Sequence, residues 1–258
     1  MEIKEGGKIM KQVKKEYDID LTNLNSSYKI AFWLGGLSSM ILIVYSLAQM
    51  LVMVFIGTPP ETITECFTML NENKFYGLLR LDILTVFIIP LYYLLFYSIY
   101  TALKKTSYEM VAISTILVFA GVTLFLATPS VFSYLHLSDK YAMATTEIQK
   151  NQLLSAGEAI LASDMWHGTG AKIGGILLQA GALVISFVML KQNIFNKLTA
   201  YTGIITHGLD LAHILIGFFL PVGGVILMAI AGPLYLLWFP LVGIRLFRLS
   251  KYCQRIES

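Results

Sequence analysis

Six blocks of apolar residues, each about as long as a lipid bilayer is thick, limit what this chain can fold into. They cover roughly 30–56, 77–100, 109–128, 168–190, 199–220 and 224–248. The hydrocarbon core is about 30 Å thick and a helix rises about 1.5 Å per residue, so about 20 apolar residues span it. A soluble chain would interrupt such blocks with charge. Here only 14% of residues are charged, against about 25% in an average soluble domain. The mean hydropathy of +0.69 agrees.

The 258 residues suit one membrane domain. Residues 1–28 are polar and lysine-rich and read as a cytoplasmic tail, 29–250 as the six-span domain, and 251–258 as a second cytoplasmic tail. The first apolar block is longer than the core of a secretory signal peptide, and no small-residue cleavage site follows it, so it is expected to stay in place. The predicted fold is all-α: a six-helix transmembrane bundle with an extracytoplasmic amphipathic helix between spans 3 and 4.

Charge sets the orientation. The first tail with Lys29, the short loops holding Lys104, Lys105, Lys191 and Lys197, and the end holding Arg245, Arg248, Lys251 and Arg255 carry 14 of the 19 basic residues. The positive-inside rule places both termini in the cytoplasm of a cell membrane. The formal net charge of +3 is therefore a topology signal and gives no reason to expect a nucleic-acid partner. On the other side, 57–76 and 129–167 are long and acidic. The stretch LSDKYAMATTEIQKNQLLSAGEAILA, from Leu137 to Ala162, contains no proline and has a loose apolar stripe. It reads as one helix lying on the outer leaflet, or as a lid over a cavity. Cys66 and Cys253 fall on opposite faces and are not expected to pair.

Polar groups within spans are costly and mark candidate sites. The fifth span carries His207, Asp210 and His213, spaced by three, so neighbouring pairs lie about one turn apart. Three readings stay open. The set can be a structural His–Asp–His hydrogen-bonded lock. It can be a proton or ligand site, since histidine titrates near neutral pH. It can be a metal site, since imidazoles and a carboxylate suit zinc, although His207 and His213 point about 120° apart around the helix. Gln179, Lys172, Asp82, Arg80 and Gln49 extend the candidate ligand or proton site through the outer half of the bundle. Arg80 and Lys172 are the expected ionic partners of Asp82. The pair Gly170 and Gly174 is a GxxxG motif suited to close helix approach, within the chain or between copies as a homo-oligomer. Pro90, Pro233 and Pro240 are expected to kink their helices. Trp33, Trp166 and Trp238 read as an aromatic belt with no part in a site.

Neither a serine elbow, a CxxC motif, a Walker A loop nor a dinucleotide fingerprint occurs, so no cofactor is indicated by motif. The leading expectation is a non-enzymatic protein that binds or passes a small or lipophilic ligand through an outward-opening polar pocket. One alternative is a membrane-embedded lipid-modifying enzyme using a His/Asp site, with or without metal. Another is a structural or accessory subunit.

The segments LSDKYAMATTEIQKNQLLSAGEAILA, GILLQAGALVISFVMLKQNIFNKLTAYTGII and PLYLLWFPLVGIRLFRL together resemble a prokaryotic multi-pass membrane protein family known only as a domain of unknown function. The resemblance implies a membrane domain of six to seven helices over most of the chain. It implies no activity and no catalytic residues.

Overall fold

The computed structural model describes residues 26–191 and 193–257. Most of the expected cytoplasmic tail, 1–25, lies outside the described residues. The protein is all-α, with no strand among the described residues. Its helices are α1 (Lys29–Phe55), α2 (Ile63–Glu72), α3 (Lys74–Arg80), α4 (Ile83–Ile88), α5 (Leu91–Leu103), α6 (Tyr108–Leu126), α7 (Val131–Met143), α8 (Glu147–Leu161), α9 (Thr169–Met189), α10 (Lys197–Gly217) and α11 (Pro221–Glu257).

Five helical stretches are long and apolar enough to cross a membrane: Lys29–Phe55, Ile83–Leu103, Tyr108–Met143, Thr169–Met189 and Pro221–Gln254. The fifth expected span, α10, is not among them. Its 21 residues reach about 31 Å at helical rise, which is long enough. Its apolarity is lowered by Thr199, Thr202, Thr206, His207, Asp210 and His213.

Several boundaries differ from those expected. The second expected span is broken twice. Asp82 takes a left-handed backbone, φ 52 and ψ 50, between α3 and α4, and Pro90 lies in a turn between α4 and α5. The break near Pro221 is shifted: the turn is made by 218–220, and Pro221 begins α11. That is a favourable place for it, because a first-turn residue needs no N–H partner. Pro233 and Pro240 lie inside the continuous α11. The single helix expected over 137–162 is two helices, α7 and α8. The chain leaves helix after Met143, and Thr146 caps the new start by accepting from the Gln149 N–H. The stretch 57–76 also folds, into α2 and the start of α3. Asn73 serves as the C-cap of one and the N-cap of the other.

Two compact units result. The first gathers the described residues of Met1–Ile43, Leu91–Ala120 and Ile176–Ser258. Hydroxyl bonds tie its helices together: Ser98 Oγ donates to the Ala31 carbonyl at 2.6 Å, and Ser39 Oγ to the Phe239 carbonyl at 2.6 Å. A Cβ on Gly35 would lie 2.2 Å from Ser98 Oγ, so the absence of a side chain sets the approach of α1 to α5.

The second unit is Val44–Pro90 and Gly121–Gly175. Its core holds Ile63, Cys66, Phe67 and Leu70 of α2, with Val131 and Tyr134 of α7 and Leu161 of α8. Gly174 of α9 lies against α6, where an added Cβ would meet the Gly121 carbonyl oxygen at 2.8 Å and the Phe125 nitrogen at 3.0 Å. A Cβ on Gly170 would meet Thr128 at 3.0 Å. The GxxxG face, suited to close helix approach within the chain or between copies, meets α6 and the residues after it in the same chain.

Both cysteines are fully buried. Burial, assisted by the charges of Glu65 and Asp164, pushes the Cys66 thiol up to about 12. Thiolate is the reactive form, so a membrane-impermeant maleimide should label neither cysteine in the folded protein and both after denaturation in SDS. Rapid labelling of Cys66 in the native state would show that the α2 core is wrongly placed.

Candidate functional site

Three helices of the first unit, α9, α10 and α11, bring together Gln179, His207, Asp210 and Tyr235. Gln179 Nε2 donates to Asp210 Oδ2 at 2.6 Å, and Tyr235 Oη donates to the same oxygen at 2.7 Å. His207 Nδ1 lies 2.7 Å from Gln179 Oε1. A carboxylate can only accept, so Asp210 holds the Gln179 NH2 toward itself and turns the amide oxygen toward His207. That oxygen also only accepts, so His207 carries its proton on Nδ1 and presents Nε2 as a bare acceptor. Tyr235 Oη is also 3.1 Å from Gln179 Oε1. Its single proton belongs with the shorter, charge-assisted bond to Asp210.

Asp210 itself is half-buried. Its second oxygen, Oδ1, makes no hydrogen bond among the described residues. Around the far end of the set the surroundings are aromatic. His207 packs edge to face on Trp238, centroids 4.6 Å apart, and lies 5.6 Å from the Tyr235 ring. Tyr235 stacks on Phe239 at 5.4 Å.

The structure corrects the His–Asp–His reading. His213 does not bond Asp210. Its Nδ1 lies 3.0 Å from the Gly224 carbonyl, tying the end of α10 to the first turn of α11. Both Asp210 partners come from other helices, and one of them, Tyr235, carries no mark in the sequence that sets it apart from 13 other tyrosines. The metal reading loses its ligand set as well. Among the described residues no three His, Cys, Asp or Glu side chains group to hold a metal. Trp238, read as a belt residue, is fully buried against His207.

Asp82, Arg80, Gln49 and Lys172 belong to the second unit. There the expected pairing of Asp82 with Arg80 or Lys172 gives way to another. Asp82 is buried, and its Oδ2 accepts from Tyr45 Oη at 2.6 Å, while its Oδ1 accepts from the Thr85 N–H at 3.2 Å as the N-cap of α4. The Tyr45 proton goes to the carboxylate, so Thr85 Oγ1, 2.7 Å away, is the donor in its bond with Tyr45. Arg80 turns elsewhere: its guanidinium donates to Glu65 at 2.6 Å and to the Thr58 carbonyl at 2.8 Å. Lys172 is half-buried and takes no part in the Asp82 bonds. Gln49 lies one turn beyond Tyr45 on α1, and its Oε1 is buried without a partner among the described residues. Asp164, counted in the sequence only as an outer acidic residue, is buried. It accepts from Tyr134 Oη at 2.8 Å and from the backbone of Trp166 and His167 at 2.8 and 3.1 Å. A cavity of about 390 Å3 lined by Lys140, Met143, Ala144, Gln149, Gln152 and Leu153 opens between α7 and α8. Its lining lies entirely in the 137–162 stretch and contains none of the candidate polar residues of the spans.

Comparison of the chain with protein-family profiles, with curated proteins and with solved structures gave no match.

The Asp82 geometry is testable by double-mutant cycles in detergent. A hydrogen bond to a charged group contributes about 1.5–3 kcal/mol, so Tyr45→Phe should lower stability by about that much. Asp82→Asn keeps a residue tolerant of left-handed backbone. The Tyr45/Asp82 cycle should show strong coupling and the Arg80/Asp82 cycle none. The reverse result would restore the ionic pairing.

Glu65 gives a pH signature. The Arg80 guanidinium holds its carboxyl below the usual range. A group depressed in the folded state contributes stability above its unfolded pKa of about 4.3 and loses it as pH falls through the folded value. The gap between the unfolding midpoints of wild type and Arg80→Ala, followed from pH 7 to pH 3, should therefore narrow at the acid end, leaving the part due to the bond with the Thr58 carbonyl. A constant gap over that range would remove Glu65 as the group responsible.

Proposed function

We propose that this chain spans a cell membrane six times, with both termini in the cytoplasm, and binds or passes a small or lipophilic ligand at the Asp210 set. Five apolar spans and the charge asymmetry of the loops support the membrane placement. Counting α10 as the sixth span accounts for an even number of crossings between two cytoplasmic ends. Its low apolarity then becomes the point of interest, because a helix that carries Asp210 and His207 through a bilayer must shield them with partners or present them to a ligand.

One observation carries the reading. Asp210 is anchored through Oδ2 by two neutral donors, Gln179 and Tyr235, while Oδ1 stays unbonded among the described residues and the residue keeps some exposure. A lock that existed only to join helices would use both oxygens. An arrangement that fixes one and leaves the other free is what positions a carboxylate for a ligand.

The test is Asp210→Asn. Its carbonyl oxygen can still accept from Gln179 and Tyr235, so the variant should fold with a thermal midpoint within a few degrees of wild type. Native mass spectrometry of the two proteins, purified in a mild detergent, should show a retained small molecule or lipid on wild type and its loss from the variant. Equal retention would detach the ligand from Asp210. Gross misfolding of Asp210→Asn would mean that the charge holds the helices together, and the ligand reading would be abandoned.

A further inference from the structure

Charge is unevenly shared out around the cavity between α7 and α8. The three carboxylates of the 137–162 stretch are engaged away from it. Asp139 pairs with Lys74 at 2.7 Å and Glu147 with Lys150 at 3.2 Å. Glu158 faces the Ile63 N–H at 3.5 Å. None of the three lines the cavity, but Lys140 does. Its ammonium has no hydrogen bond and no ion pair among the described residues. The cavity wall therefore carries one cation and no anion.

The break between the two helices makes the space. The chain turns to extended backbone at Ala144, φ −69 and ψ 127, and Thr146 starts α8 afresh. Gln149 closes the corner: its Oε1 accepts from the Thr145 N–H at 3.3 Å. The amide oxygen is thus committed, and the NH2 is the end left to donate. Gln152 adds a second amide to the wall, and Met143 and Leu153 make it apolar elsewhere. Met143 is 73% exposed, so a hydrocarbon laid on it would take apolar surface out of water. The volume of about 390 Å3 is at the small end of ligand pockets. At about 30 Å3 for a water-sized group it holds about a dozen non-hydrogen atoms.

We propose that this cavity binds a carboxylate that carries a short hydrocarbon chain, with the carboxylate on Lys140 and Gln149 and the chain along Met143 and Leu153. A carboxylate only accepts, and these two residues offer it an ammonium and an amide NH2. An alcohol would leave Lys140 without a counter-charge. An organic ammonium would meet Lys140 as a like charge. A doubly charged phosphate would bring two negative charges to one cation. The site lies wholly in the second unit and does not rest on the reading of Asp210.

The experiment uses the full chain in a neutral detergent with 13C-methyl methionine, and Met143→Leu to assign the Met143 methyl resonance among the 11 methionines. The probes are octanoate, 1-octanol, octylammonium and acetate at pH 7. Octanoate should move the Met143 resonance saturably. Octanol and octylammonium, which enter the detergent micelle as octanoate does, should not, and acetate should act only at far higher concentration. In Lys140→Gln, octanoate should bind about fivefold more weakly, the scale of one exposed ion pair. Lys150→Gln, which removes a lysine outside the cavity wall, should bind octanoate as wild type does. Unchanged binding in Lys140→Gln would overturn the proposal. Equal movement by octanol would do so too, since it shows apolar surface alone, and equal movement by octylammonium would show no selection of charge. Equal movement by acetate would show an anion contact without a place for the chain, and a resonance that octanoate leaves still would remove the site. Should Lys140→Gln fail to fold, the four probes on wild type still decide. Met143 reports on the second unit alone, so failure here leaves ligand binding at Asp210 in place, and failure there leaves this site.

Discussion

A polar group within a bilayer has no water to bond, so each must find its partner inside the protein. Several hydroxyls of the first unit follow this rule locally. Ser38 donates to the Leu34 carbonyl, Thr115 to Val111, Ser186 to Ala182 and Thr202 to Leu198, each one turn back on its own helix. Such bonds satisfy a hydroxyl without help from a neighbour, and they free these residues to lie at helix crossings. Ser98 goes further and reaches both the Leu94 and the Ala31 carbonyls. A carboxylate has no such local remedy, since the backbone of its own helix offers it no free N–H. Asp210 must recruit donors from α9 and α11, and Asp82 escapes only by sitting at a break, where the first turn of α4 exposes an N–H to it.

This difference decides what could be read in the sequence. Apolar blocks reported the helices because block length is a property of one segment. The spacing of His207, Asp210 and His213 reported a shared face on α10, which is again a one-segment property. Which residue of another helix stands opposite is not. Gln179 was visible as a polar residue at the middle of a span, but Tyr235 was hidden because tyrosine is common in apolar segments and its ring suits lipid. The His213 partner was invisible for a deeper reason: it is the Gly224 carbonyl, and every residue has a carbonyl. For Asp82 the sequence shows the need for a partner, and charge logic points to a cation. A phenol one helix away served instead, and only the turn at Asp82 brings the carboxylate to it.

Breaks in helices were legible in part. Pro90 marked one and Pro221 the neighbourhood of another. The left-handed backbone of Asp82 and the interruption at 144–146 left fainter signs, since Asp and Thr are ordinary residues whose capping role depends on where the next helix starts. Helices α2 and α3 leave little mark in the sequence, because a ten-residue helix owes its stability to the core that it joins rather than to its own propensity.

The bridging amide links the two ends of the Asp210 set. Gln179 is the one member with both a donor and an acceptor on the same planar group. Asp210 fixes which end of that amide faces which helix, and the amide then fixes the tautomer of His207. The carboxylate therefore sets the hydrogen-bonding character of an imidazole nitrogen with which it makes no bond. With Asp210 as a pure acceptor, His207 Nε2 must be an acceptor too. Replace the carboxylate with an amide, which can accept or donate, and Gln179 is free to reverse, after which His207 can present either a donor or an acceptor beside Trp238. A histidine and a glutamine bonded only to each other could adopt either polarity. The negative group at the far end selects one of the two, so a carboxylate in this set, costly to bury as it is, gives the fully buried end a defined chemistry.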